Sequence, residues 1–206
     1  MVLAMFVDAD RAPLLSALAA GSVQVTPSVI DPAETPPFAR QPVAEFAKGI
    51  FAAQRDLSQQ LHATRVQRRT AFYRAVGAAW RPVTLSYSEL QQARYFASTA
   101  AREAARLADP TLKVKRVSAG EAEAAAVAVA RGWTLWSDDA AIVNLLAALY
   151  PDHPVERISD LVIRSAQEGL QPCQEAADLY NDTFKGTLGL WTTRTLICDN
   201  DQVLIR

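Results

Sequence analysis

The chain has little of the two residue types that build most zinc sites. Its 206 residues include two cysteines and two histidines. Cys173 and Cys198 stand in no CxxC motif, and His62 and His153 lie far apart in the sequence, which excludes a zinc site of the usual spacing. Two isolated cysteines are more typical of reduced thiols in a cytosolic protein than of a disulfide, although a disulfide between them is possible.

Long apolar runs and a strong net charge are also missing. No stretch approaches the roughly 20 apolar residues that a membrane helix needs, and the N-terminal run is too short for a secretory signal. We therefore expect a soluble, cytoplasmic protein. The net charge of −1 does not indicate a nucleic-acid-binding protein. Evidence for nucleic-acid binding would have to come from local clusters of positive charge. Half of the residues are hydrophobic, which predicts a globular domain with a substantial core.

Short apolar runs alternate with helical patterns along the chain. This alternation predicts one α/β domain over residues 1–206 with a mostly parallel sheet. A helical elaboration occupies about residues 43–108, and a C-terminal tail covers about 182–206. Further predicted elements are a buried strand at Val2–Val7, strands in "LKVKRV" and "WTLWS", helices at Glu121–Arg131 (ended by Gly132) and Ala140–Leu149, and a hairpin around Asp199–Asp201.

Carboxylates follow several of the predicted strands. Asp8 and Asp10 follow the first strand, Asp138 and Asp139 follow "WTLWS", and Glu121 lies in the first turn of a helix. Sites in open α/β sheets form beyond the carboxyl ends of the strands, so we expect these acids at one edge. Clustered carboxylates repel unless they share a proton or a cation. Mg²⁺ or Mn²⁺ prefers such oxygen ligands, and either ion could activate water and stabilise charge on a phosphodiester.

Most of these acids also have a purely structural interpretation. Ser118 and Glu121 form the S-x-x-E pattern of a capping box. One aspartate of the pair 138–139 would serve as the N-cap of the next helix. Asp10 could be a turn residue. Asp8 is harder to explain in this way, because a carboxylate directly after a buried strand is costly unless it is paired.

The segment "GEAEAAAVAVARGWTLWSDD" resembles the PIN domains, in particular the VapC-like toxins of bacterial toxin–antitoxin pairs. The opening run that ends at Asp8 and "RISDLVIRSAQEGL" are also similar, so that the likeness covers about residues 1–35 and 115–180. The resemblance implies a three-layer α/β/α sandwich that cleaves RNA with Mg²⁺ or Mn²⁺. It also implies an antitoxin protein as partner, with a homodimer as a further possibility.

By position, the resemblance assigns the metal to Asp8, Glu121 and one of the pair Asp138 and Asp139, both of which are candidate metal ligands. Asp139 is preferred, because Ser137-Asp138-Asp139 fits the family's pattern of Ser or Thr, any residue, then Asp. The fourth ligand of the family has no clean counterpart. Three acids are open for that role, namely Asp10, Asp31 and Glu34.

A basic stretch lies inside the predicted helical elaboration. No acid occurs between Leu57 and Ser88, whereas arginines and aromatic residues interleave there. This composition suits binding of an RNA backbone with stacked bases. The alternatives are a solvated arginine face over packed aromatics, or aromatics that dock an antitoxin or a second subunit. The residues are Arg65, Arg68, Arg69, Arg74 and Arg81, with Phe72, Tyr73 and Trp80 among them.

The leading hypothesis is therefore a metal-dependent endoribonuclease, the toxin of a toxin–antitoxin pair. A second hypothesis is a non-catalytic PIN-like module that binds RNA or protein, because the acidic set departs from the family pattern. A third is a phosphatase, since "FVDADRAP" also resembles the haloacid-dehalogenase enzymes. In that case Asp8 would be the nucleophile and Asp10 the general acid.

Overall fold

The structure, a computed structural model, describes residues 2–19, 23–27 and 83–206. These residues form a mixed α/β protein. They divide into two compact units by their backbone contacts: the first contains the described residues of Gln24–Val155, and the second those of Val2–Val23 and Glu156–Arg206. The helices predicted between residues 43 and 82 lie outside the described part of the chain.

The first unit is mainly helical, with one short strand pair at its end. Strand β1 pairs with β2, which begins at the last residue of this unit. The elements are α3 (Tyr87–Phe96), α4 (Thr99–Ala108), α5 (Ala119–Arg131), β1 (Leu135–Trp136), α6 (Ala140–Leu149) and β2 (Val155–Glu156).

The second unit joins two N-terminal helices to the C-terminal part of the chain. An antiparallel hairpin closes it, with Leu196 opposite Ile205 and Asp199 opposite Gln202. The elements are α1 (Val2–Asp8), α2 (Ala12–Leu18), α7 (Ile158–Gln167), α8 (Cys173–Asp178), a π-helix (Leu179–Thr187), β3 (Leu196–Asp199) and β4 (Gln202–Ile205).

Alanine lets the helices of the first unit approach closely. Ala122, Ala125 and Ala126 on α5 are fully buried in a core that also contains Leu135 and Leu145. Small side chains without rotamer freedom lose little entropy in such an interface. The predicted helix at 121–131 is confirmed, and it ends where predicted, because Gly132 adopts the left-handed conformation (φ 66°) that favours glycine at a helix end.

A bidentate ion pair joins α3 to α5. Arg131 Nε lies 2.6 Å from Glu89 Oε1, and its second nitrogen donates to Oε2 at 3.0 Å. The same carboxylate accepts a hydrogen bond from the Ser86 backbone N–H (2.6 Å), so Glu89 also completes the capping box of α3. These bonds, that of Arg131 above all, hold the pKa of Glu89 at about 2, below its usual 4.5, although burial acts in the opposite direction.

The predicted strand at Val2–Val7 is wrong, because this segment is the helix α1. A short continuous apolar run fits a buried helix as well as a buried strand, so periodicity could not separate them. The helix ends in a Schellman motif: Arg11 N donates to Phe6 O (2.7 Å) and Asp10 N to Val7 O (3.0 Å). Asp10 occupies its left-handed position with φ 60°, which confirms its interpretation as a turn residue.

The expectation of reduced thiols is also contradicted. Cys173 and Cys198 form a disulfide that ties the start of α8 to β3, with Cα atoms 5.5 Å apart. No local sequence motif marks these two cysteines as a pair, because they lie far apart in the chain and meet only in the folded protein. The tail hairpin itself is confirmed, with Asn200 and Asp201 in the left-handed conformation that a two-residue turn requires.

Two further predictions need correction in the first unit. "LKVKRV" has no regular secondary structure and belongs to neither of the sheets found among the described residues. The helical elaboration predicted up to about residue 108 is interrupted, because Ser98 accepts a hydrogen bond from Ala101 N and starts α4 as a new helix. No helix within residues 2–19, 23–27 and 83–206 is long and apolar enough to cross a membrane.

Candidate functional site

Glu121 lies in the first turn of α5, as predicted. Ser118 caps this helix: its Oγ accepts a hydrogen bond from Glu121 N at 3.3 Å and donates one to Glu121 Oε2 at 2.9 Å. The serine therefore fixes both the start of the helix and the direction of the carboxylate. The glutamate is half-buried.

Asp138 and Asp139 follow β1 directly, also as predicted. Asp139 is the N-cap of α6, and its Oδ1 accepts a hydrogen bond from Ala141 N at 2.6 Å. Its backbone N–H donates to Ser137 Oγ at 3.3 Å, which holds the approach to the helix. The expectation that one of these two aspartates caps the helix is confirmed for Asp139.

The lengths of the elements predict that these acids lie at the same end of the unit. Helix α5 has 13 residues and is therefore about 20 Å long. The chain reverses at Gly132, and residues 133–138 span about 20 Å when extended. Strand β1 and helix α6 both contact α5. If residues 133–138 return along α5, Asp138 and Asp139 are expected at the level of Glu121.

The capping bond of Asp139 predicts how its variants will behave. Asp139→Ala removes the acceptor of the Ala141 N–H, and we expect the free energy of unfolding to fall by about 1 kcal/mol. Asp139→Asn keeps a carbonyl oxygen in the same place and should stay within a few tenths of a kcal/mol of the wild type. Urea denaturation of the three proteins measures both differences. Equal losses for the two variants would contradict the capping role.

Asp8 does not stand where the sequence analysis placed it. It is the last residue of helix α1, is 3% exposed, and belongs to the second unit. Asp8 therefore does not lie at the end of a strand, and we no longer expect its carboxylate at a sheet edge for that reason. The phosphatase hypothesis depended on the same predicted strand. Asp10, the general acid in that hypothesis, occupies the left-handed position of the turn that ends helix α1.

The remaining predicted site residues lie outside the described part of the chain. They are Asp31 and Glu34, and the arginines Arg65, Arg68, Arg69, Arg74 and Arg81.

The described residues 2–19, 23–27 and 83–206 contain no group of three or more His, Cys, Asp or Glu side chains arranged to hold a metal ion. Glu121, Asp138 and Asp139, all of them described, are thus not brought together as such a group. No protein-family model, curated protein or solved structure matches the chain. The candidate site consists of the starts of α5 and α6, where these three carboxylates lie.

Two groups of charged residues near this site in the chain were not predicted from the sequence. Glu123 is a second glutamate of α5 and is 4% exposed, an unusual degree of burial for a charged side chain. Lys113, Lys115 and Arg116 are exposed on the segment that leads into α5. The signal for these cations was available, since no acid occurs between Asp109 and Glu121.

Proposed function

We propose that the protein is a metal-dependent endoribonuclease whose site includes Glu121, Asp138 and Asp139. One observation carries the proposal: α5 and α6 contact each other, and each begins with a carboxylate, Glu121 in the first turn of α5 and Asp139 as the N-cap of α6. Asp8 is a further ligand in the proposal, on the basis of the sequence resemblance. The three-layer α/β/α sandwich, a cytoplasmic location, a homodimer and a neutralising antitoxin protein belong to the same proposal.

The donor chemistry of the site fits a hard divalent cation. The side-chain donors are carboxylate oxygens, which Mg²⁺ and Mn²⁺ prefer over nitrogen or sulfur. When bound, either ion stabilises negative charge on a phosphodiester and lowers the pKa of water. The residues of the chain position the site: Ser118 orients Glu121, and Ser137 together with the Ala141 N–H orients Asp139.

Cleavage of a fluorescent single-stranded RNA with millimolar Mn²⁺ tests this proposal. We expect cleavage that EDTA stops. Glu121→Gln, Asp139→Asn and Asp8→Asn should each lower the rate by more than about 100-fold, since even partners outside the ligand shell are worth 10–100-fold. Asp139→Asn is the most informative variant, because it keeps the helix cap and removes the charge.

Glu103→Gln is the matched control for these variants. Glu103 lies on α4 in the same unit and is exposed, so its neutralisation changes the net charge equally without touching the site. Its rate should stay within about twofold of the wild type, the range of a surface substitution. Wild-type cleavage by Asp139→Asn and Glu121→Gln would show that these carboxylates do not serve the reaction.

A non-catalytic RNA-binding module is the second candidate. It is favoured by the hydrogen bonds that already use Asp139 Oδ1 and Glu121 Oε2 to start their helices. This candidate predicts RNA binding without cleavage and no change in melting temperature on addition of Mn²⁺. The nuclease predicts a rise in melting temperature, because an ion that binds only the folded state stabilises it.

A further inference from the structure

A cationic segment, Lys113–Arg116, leads directly into the candidate site. It has no regular secondary structure, and its burial is uneven: Val114 and Val117 are 3% and 2% exposed, whereas Lys113, Lys115 and Arg116 are exposed. The two valines belong to the core that also holds α5 and α6. The cations are therefore presented on a part of the chain that is fastened to the core.

Both ends of the cationic segment are held by hydrogen bonds. Before it, the Thr111 N–H and hydroxyl both donate to Asp109 Oδ1, at 2.9 and 2.6 Å. Within it, the Asn144 side-chain amide on α6 donates to Lys113 O at 3.1 Å. After it, Ser118 starts α5. A backbone held in this way loses less entropy when its cations bind a ligand than a free loop would lose.

No acid neutralises the three cations. Residues 110–120 contain no Asp or Glu. Within the described ranges, Lys113, Lys115 and Arg116 form no ion pair with any carboxylate. A chain with a net charge of −1 thus has three unpaired positive charges within four residues. Like charges so close together repel one another, and an anionic ligand would relieve that repulsion.

We propose that Lys113, Lys115 and Arg116 bind the phosphate backbone of an RNA strand and lead it toward the carboxylates of the candidate site. The inference rests on the proposed function for the identity of the polymer as RNA. Cations that contact phosphates contribute affinity without reading sequence, which suits a surface with no aromatic residue among them. The Ser118–Glu121 cap follows at once in the chain, so a strand on these cations lies next to Glu121.

Fluorescence anisotropy of a short labelled single-stranded RNA in EDTA tests the proposal without cleavage. The full chain with Lys113→Ala, Lys115→Ala and Arg116→Ala should bind about tenfold more weakly at 50 mM KCl. Between about 50 and 200 mM KCl, the slope of log affinity against log salt should become shallower by about 2, which corresponds to three lost contacts with a single strand.

Arg94→Ala, Arg106→Ala and Arg206→Ala together form the matched control. These residues are exposed and lie on α3, on α4 and after β4. Their three substitutions remove as much positive charge as the substitutions in the cationic segment. The RNA affinity of this control variant should stay within about twofold of the wild-type affinity, because the proposal depends on where the charges lie and not on their sum. Equal losses in both triple variants would overturn the proposal. Unchanged RNA affinity together with lost binding to vesicles of anionic lipid would also overturn it.

The binding assay separates this inference from the proposed activity. Position-dependent RNA binding by a protein that does not cut RNA would support the cationic segment and contradict the nuclease. RNA cleavage by a protein whose RNA affinity does not depend on Lys113, Lys115 and Arg116 would support the nuclease and contradict the role of the cationic segment.

Discussion

Replacing Cys173 and Cys198 together by alanine will lower the free energy of unfolding by about 3 kcal/mol. The disulfide closes a loop with a sequence separation of 25 residues, and a cross-link of that span removes about 3 kcal/mol of chain entropy from the unfolded state. The bond also fastens α8 to the hairpin, since α8 contacts both β3 and β4. Urea denaturation of the oxidised wild type and the double variant measures the difference.

A reducing agent provides the matched control for this prediction. Reduction should lower the stability of the wild type to that of the double variant, and it should leave the double variant unchanged. Titration of the native protein with a thiol reagent should find no reactive thiol before reduction. Free thiols in the native protein, or an equal effect of the reductant on both chains, would show that the bond does not form.

The disulfide has a consequence for the proposed cytoplasmic location. The cytoplasm keeps most protein thiols reduced, so the protein there would lose this cross-link unless the folded unit resists reduction. A nuclease toxin that acts on cellular RNA would then work from the less stable form. The site carboxylates Glu121, Asp138 and Asp139 lie in the first unit, whereas the disulfide and the proposed ligand Asp8 lie in the second. Loss of the cross-link would therefore reach the proposed chemistry through Asp8.

Local sequence signals predicted the helix–strand–helix segment of the first unit well. Ser118 and Gly132 mark the start and end of α5 through their own hydrogen-bonding and backbone preferences. Asp139 marks the start of α6 in the same way. Such signals act over three or four residues, so they can be read from the sequence without any knowledge of tertiary contacts.

Predictions that depended on tertiary context failed. Val2–Val7 lacks any period that separates a buried helix from a buried strand, and packing decides for the helix. Cys173 and Cys198 meet only because α8 packs on the hairpin. Asp8 was predicted at a strand end, on a sheet edge, and is instead a buried residue at the end of a helix. The sequence therefore predicted the Glu121–Asp139 part of the candidate site and gave the wrong local structure for Asp8.

The cationic segment shows a different reason for a missed feature. The alternation of apolar and charged residues in "LKVKRV" fits a strand, and Val114 and Val117 are indeed buried. The strand prediction assigned no role to the charges between them. Because the segment pairs in no sheet among the described residues, its cations are better understood as a surface of their own.

Glu89→Gln will lower the free energy of unfolding at neutral pH by about 2–3 kcal/mol, because it leaves the Arg131 guanidinium without its charged partner. The Glu89 side chain is 5% exposed and that of Arg131 30% exposed, so solvent screens the pair only in part. The variant keeps a side-chain oxygen for the Ser86 N–H. The α3 cap should therefore survive, and the loss should report the ion pair.

The same pair gives the wild type a distinctive pH dependence. In the folded protein the pKa of Glu89 is about 2, against a usual value of 4.5. A lowered pKa contributes stability that is fully present above about pH 4.5 and is lost as the pH falls toward 2. The stability difference between wild type and Glu89→Gln should therefore shrink across that window and be constant from pH 6 to 8. Glu103→Gln, at an exposed position of the same unit, should differ from the wild type by little at any pH. A difference between wild type and Glu89→Gln that stays constant down to about pH 2.5 would mean that the Arg131 contact does not hold the proton off Glu89.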